Sequence, residues 1–159
     1  MNKQILILIF GLFFTSCEEN DPGLKDYDYL MFGHFYGFCA GEACVEIFKI
    51  TGTELYEDTK DVNPRNAPPY SGDFTKLDRD YFNKVKGLEN YIPSELINTK
   101  EKVIGQPDAG DWGGIYFEYA VNGKKEYWIL DKNRSNLPEV LIPFVEQIEE
   151  RIAALQPSI

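Results

Sequence analysis

Histidine occurs once in this 159-residue chain, at position 34, and that scarcity removes most familiar catalytic arrangements. A Ser-His-Asp or Cys-His set would have to use His34, which lies among aromatics in a segment that reads as a strand. A half-buried sheet histidine is the expectation there. With one histidine no zinc spacing can be built, no EF-hand run occurs, and no glycine-rich phosphate loop precedes a helix. No metal or cofactor is expected. Basic residues are also scarce: 16 Lys and Arg face 26 Asp and Glu, for a net charge of −10. Such a surface repels nucleic acid and anionic headgroups, so nucleic acid is not expected as a partner. With so many carboxylates, finding a pair at hydrolase spacing carries no information. Beyond residue 14, charge interrupts every apolar stretch within a few residues, so no later segment can span a bilayer.

What is present begins at the N-terminus. Lys3 supplies a short positive start, and Ile5 to Phe14 form an apolar run of signal-peptide length, short of the about 20 residues a spanning helix needs. Phe14-Thr15-Ser16-Cys17 resembles the bacterial lipobox, with Phe14 where that pattern prefers Leu, Val or Ile. The resemblance implies cleavage before Cys17 and lipidation of its thiol. Residues 1–16 then form a signal peptide, 17–28 an acidic tether and 29–159 a single domain. Several acyl chains, at about 0.8 kcal/mol per buried methylene, hold a protein firmly, so the membrane is a partner through this anchor. Glu18, Glu19 and Asp21 after the cysteine resemble the surface-export signal of Bacteroidetes lipoproteins. The expected location is the outer membrane, on the cell surface or the periplasmic face. An aromatic content of 14% marks a folded domain, not a disordered acidic tail.

Only Cys39 and Cys44 remain after Cys17, and in an exported chain such a pair is expected as a disulfide. The closed loop is short, so the chain-entropy gain is about 2 kcal/mol. A catalytic dithiol prefers C-x-x-C at a helix N-terminus, and this pair has neither feature. Tyr29 to Phe38 and Val45 to Thr51 read as strands on either side. A Cys39–Cys44 bond predicts Phe38 opposite Val45, Tyr36 opposite Ile47, His34 opposite Lys49 and Phe35 against Phe48. Both faces are largely apolar, so the strands should be central or covered on both sides.

Glu54 to Glu57 reads as a third strand, and Asp58 to Asp73, with Pro64, Pro68 and Pro69, as a long irregular loop. Thr75 to Ile92 reads as a helix, with a further short turn at Ser94 to Asn98. A brief strand at Lys102 to Gly105 precedes two strands, Gly114 to Val121 and Lys124 to Asp131, around the hairpin signal Asn122-Gly123. Pairing across that turn sets Phe117 opposite Trp128, Ile115 opposite Leu130 and Glu118 opposite Tyr127. Asn136 and Glu139 suggest a capping box opening a helix that carries Leu141, Phe144, Val145, Ile148, Ile152 and Leu155, with Pro143 kinking its start. The expected fold is α+β: an antiparallel sheet of five to six strands with two main helices on one face, in (βββα)x2-like order.

The most distinctive loop is Gln106 to Gly114, where Asp108, Asp111 and Trp112 could hold a cation or stack a sugar or peptide. Two aspartates are too few for calcium, and the plainer alternative is an irregular lead into the hairpin with Trp112 folded inward. Tyr70, in the Pro-rich loop, is a second candidate contact. Phe32 to Ile50, Leu55 to Asp58 and Val103 to Tyr119 together resemble a group of uncharacterised Bacteroidetes lipoproteins. That likeness implies a localisation and a domain type, and no activity. The expected function is a non-catalytic, lipid-anchored binding or interaction module whose partner is an envelope or extracellular protein. An inhibitor or immunity-type protein is a variant of it. The alternative is an envelope enzyme, either a thiol oxidoreductase using Cys39 and Cys44 or a carboxylate-based hydrolase.

Overall fold

Asn122 and Gly123 adopt positive φ angles of 51° and 75° and turn the chain between β6 (Gly114–Val121) and β7 (Lys124–Asp131). The two strands pair antiparallel with Phe117 opposite Trp128, Ile115 opposite Leu130 and Glu118 opposite Tyr127, the register the Asn-Gly turn predicts. The computed structural model describes residues 26–156. The expected signal peptide, Cys17 and the tether up to residue 25 lie outside the described residues.

Five more strands extend this hairpin: β1 (Tyr29–Phe35), β2 (Val45–Thr51), β3 (Glu54–Asp58), β4 (Phe74–Lys76) and β5 (Val103–Ile104). The sheet runs β4-β3-β2-β1-β6-β7-β5, so β1 is central, as its apolar faces predict. Helices α1 (Arg79–Val85) and α2 (Ser94–Asn98) lie between β4 and β5 in the chain, and α3 (Ile142–Leu155) follows β7. The α+β class stands. The sheet is larger than the five to six strands expected, three helices replace two, and β5 lies parallel to β7, making the sheet mixed.

Three local expectations are corrected. The β1–β2 register lies three residues from the predicted one, with Phe35 opposite Val45, His34 opposite Glu46 and Phe32 opposite Phe48. β1 stops at Phe35, and residues 36–44 form a loop whose tip the Cys39–Cys44 disulfide closes, so the bond does not continue the ladder. An odd shift exchanges the faces, setting Phe32 beside Phe48 and Phe35 beside Val45. The predicted helix over 75–92 begins instead as β4, paired with β3, and its remainder is split into α1 and a 3₁₀ turn at Leu88–Tyr91, because Gly87 enters the left-handed region at φ 84°. Finally, α3 begins at Ile142 with Pro143 in its first turn, where a missing N–H costs nothing. Asn136 belongs to a preceding 3₁₀ turn and caps no helix.

The core has two parts. On one face Leu30, Phe32, Phe48, Phe117 and Trp128 pack against the predicted stripe of α3, including Phe144, Val145, Ile148 and Ile152. Each such side chain contributes about 1.5–3 kcal/mol by leaving water. On the helix-free face, Met31, Phe35, Val45, Ile47, Tyr116 and Ile129 are joined by Tyr70 from the Pro-rich loop. Gly33 sits between them where a Cβ would lie 2.0 Å from the carbonyl oxygen of Glu46, so only glycine permits β1 and β2 to approach this closely.

Candidate functional site

The pairings sort the loops by end. Phe35 of β1 opposes Val45 and Gly114, and Gly114 opposes Asp131, while β5 reaches Ile104 beside Leu130. The loops over residues 36–44, 59–73, 105–113 and 132–141 therefore all touch the same end of the sheet. The opposite end holds the tight turns at Gly52-Thr53 and Asn122-Gly123, and there the chain leaves β4 after Lys76 for the helical connection to β5. The chain enters the domain at that turn end, where Asp28 N–H donates to Ala120 O (2.7 Å) and Gly123 N–H donates to the Asp28 carboxylate (2.8 Å). Long loops on a rigid sheet are where contact residues gather.

Three buried carboxylates fix these loops. Asp131 accepts from Gln106 N–H (2.7 Å), Trp112 Nε1 (2.7 Å), Asn133 N–H (2.8 Å) and Asn136 Nδ2 (2.8 Å). Burial pushes its carboxyl up, but the bonds from Asn133, Asn136, Gln106 and Trp112 outweigh that and hold it below its ordinary value. Asp58 accepts from Tyr70 Oη (2.5 Å) and from the N–H groups of Lys60, Asp61 and Asp73. Glu118, fully buried on the helix-free face, accepts from Tyr29 Oη (2.5 Å), Tyr116 Oη and Tyr70 N–H (3.0 Å). Burial first, and then the Glu118 carboxylate, pushes the Tyr116 phenol well above its usual range.

The four residues nominated from sequence occupy different settings. Tyr70 is buried, its hydroxyl bound to Asp58. Trp112 is half-buried, its indole N–H bound to Asp131 and its ring 2.0 Å from where a Cβ on Gly110 would stand. Asp108, at φ 63°, accepts from Gly113 N–H (3.1 Å) and pairs with Arg65 (3.3 Å). Asp111 is exposed at φ 60°. The Arg65–Asp108 pair brings the Pro-rich loop and the 105–113 loop together at a cleft of about 410 Å³, whose lining includes Val103, Pro107 and Ile129.

Two features of the loop end escape the sequence. Phe38 is 87% exposed in the 36–44 loop immediately before the disulfide-closed ring, beside Gly37, whose position against the Asp108 carboxylate leaves no room for a Cβ. Behind that loop a cleft of about 200 Å³ is lined by His34, Tyr36, Lys132 and Glu149. Lys132 donates to Tyr36 Oη (2.5 Å), lies 4.4 Å from that ring's centre and pairs with Glu149 (3.5 Å). His34 Nε2 lies 3.3 Å from Ala43 O, which can only accept, so in the neutral ring Nε2 carries the proton and Nδ1 is the bare nitrogen. Burial, and then the Lys132 ammonium, lowers its pKa to about 4. Tyr36 and Lys132 are 96 residues apart, and no local pattern joins them. Among the described residues no group of three metal-ligating side chains assembles, and no helix is long and apolar enough to cross a membrane.

Comparison with known proteins returns no matching family model, curated protein or solved structure.

Proposed function

We propose that the chain is a lipid-anchored interaction module of the outer membrane that presents its loop end to an envelope or extracellular protein. The observation carrying this reading is Phe38, 87% exposed directly before the Cys39–Cys44 ring, at the end of the sheet opposite the chain's point of entry. An aromatic ring left in water beside a disulfide-closed turn loses little backbone freedom on docking, which is how interface anchors gain affinity. β1 alone separates the two ends by about 20 Å, so a domain held at its Tyr29 end carries Phe38 away from the bilayer. Cys17 would supply the hold, in keeping with the lipobox and with the resemblance to Bacteroidetes lipoproteins.

Two measurements test the two halves of the proposal. Labelled palmitate should enter the wild-type chain in cells and fail to enter Cys17→Ser. A photo-crosslinking side chain at position 38 should yield a discrete adduct in intact cells, while the same group at position 122, on the turn end, should not. Equal adducts from both positions, or none from 38, would remove the loop end as the contact surface.

A further inference from the structure

Beside α2, away from Phe38, is a cleft of about 270 Å³ whose floor is Leu96, Ile104 and Leu141 and whose rim includes Pro138 and Val140. The floor residues are buried, whereas Val140 is 43% exposed, an apolar side chain with no cover. Two carboxylates, Glu95 and Glu101, also line it. Thr99 Oγ1 accepts from Glu101 N–H (3.1 Å) and fixes the backbone that carries one of them. Among the described residues neither carboxylate has a cationic partner, and nearby Lys102 is paired with Glu126 instead. Uncompensated negative charge beside exposed apolar surface, in a chain of net charge −10, complements one kind of ligand.

We propose that this cleft binds a short peptide segment in which an apolar side chain is followed by lysine or arginine. The apolar group fills the Leu96–Ile104–Leu141 floor and covers Val140, and the cation reaches Glu95 and Glu101. An anionic segment is repelled by the same rim, and an acyl chain would leave both carboxylates unused. The site draws Pro138, Val140 and Leu141 from the 132–141 segment but no residue of the 36–44 loop, and does not depend on the proposed role of Phe38.

The test uses the full chain with Cys17→Ser, which removes only the expected lipidation residue, observed by NMR through the methyl groups of Leu96, Ile104 and Val140. Acetyl-Leu-Lys-Lys-amide should shift these signals saturably. Acetyl-Leu-Glu-Glu-amide and acetyl-Ser-Lys-Lys-amide should bind at least about five-fold more weakly, as should acetyl-Leu-Lys-Lys-amide to the double variant Glu95→Gln/Glu101→Gln. Both carboxylates are exposed, so the double variant retains the fold, checked by an unchanged Trp128 indole signal. Equal binding of the Glu peptide would make the cleft a merely apolar pocket, and equal binding of the Ser peptide a merely acidic surface. Either result, or no saturable shift, overturns the proposal.

Discussion

The backbone N–H of Tyr70 donates to the buried carboxylate of Glu118, 48 residues away, and so pins the Pro-rich loop onto the helix-free face of the sheet. The same N–H also reaches Tyr116 Oη (2.8 Å), whose own proton goes to Glu118. Glu118 thus organises three donors that would otherwise be buried without a shared acceptor. Replacing it by Gln keeps the shape but leaves one acceptor oxygen for three donors and removes the charge they solvate, and should cost about 1–3 kcal/mol. Tyr70→Phe removes the bond to Asp58, whose carboxylate keeps three N–H donors, and the Val62 backbone contact of the phenol oxygen, and should cost about 1 kcal/mol. Urea unfolding midpoints rank the two. A Glu118→Gln variant as stable as wild type would mean that the network does not hold the loop.

Asp131 gathers the 105–113 loop and the chain after β7 onto one carboxylate, and its folded pKa lies below the ordinary value. The sign follows from linkage: a depressed carboxyl contributes stability that is fully present above its unfolded pKa. That contribution disappears as pH falls through the folded value. Wild type should therefore lose stability relative to Asp131→Asn below about pH 4, the unfolded value for Asp. Parallel stability–pH curves for the two proteins would contradict this.

The β6–β7 hairpin and the α3 stripe were legible because each is encoded locally, by Asn122-Gly123 and by apolar side chains at helical spacing. The β1–β2 register was not, because a disulfide near a hairpin tip constrains a distance without requiring its cysteines to sit on the ladder. The parallel β5 edge depends on a crossover through α1 and α2, invisible to short-range pattern. Of the site, the Gln106–Gly114 loop was visible from its glycines and aspartates. The fixing of Trp112 by Asp131 was not, nor was the convergence of His34, Tyr36 and Lys132, which depends on three strands aligning.

Closing the 39–44 loop restricts the unfolded chain, so Cys39→Ala/Cys44→Ala should lower stability by about 2 kcal/mol while leaving the sheet formed. The larger effect should fall on the loop itself. Without the bond, residues 36–44 keep the Tyr36 N–H to Cys44 O contact (2.9 Å) and lose their closed tip, so Phe38 is no longer presented in one geometry. Amide hydrogen exchange should speed up most over 37–43, while the protected amides of β1 and β2 accelerate only by the factor that the global loss of about 2 kcal/mol gives. Acceleration in both strands beyond that factor would show that the disulfide supports the sheet instead.

His34 gives the chain a built-in reporter, since no other histidine obscures its signal. Its pKa of about 4 in the folded state lies below the about 6.5 of an unfolded histidine. Above pH 6.5 both states are neutral and the residue has no effect on the pH dependence. Between 6.5 and 4 the unfolded chain takes up a proton that the folded one refuses, so stability falls as pH is lowered, by up to about 1.4 kcal/mol per pH unit. His34→Gln should flatten this slope. The imidazole proton resonances of the folded protein should stay at their neutral positions from pH 7 down to 5. Lys132→Met removes the second cause of the depression and should raise the titration midpoint, although burial, the first cause, keeps it below 6.5. A folded-state midpoint near 6.5 in wild type would show that the ring is hydrated and that burial does not disfavour its charged form.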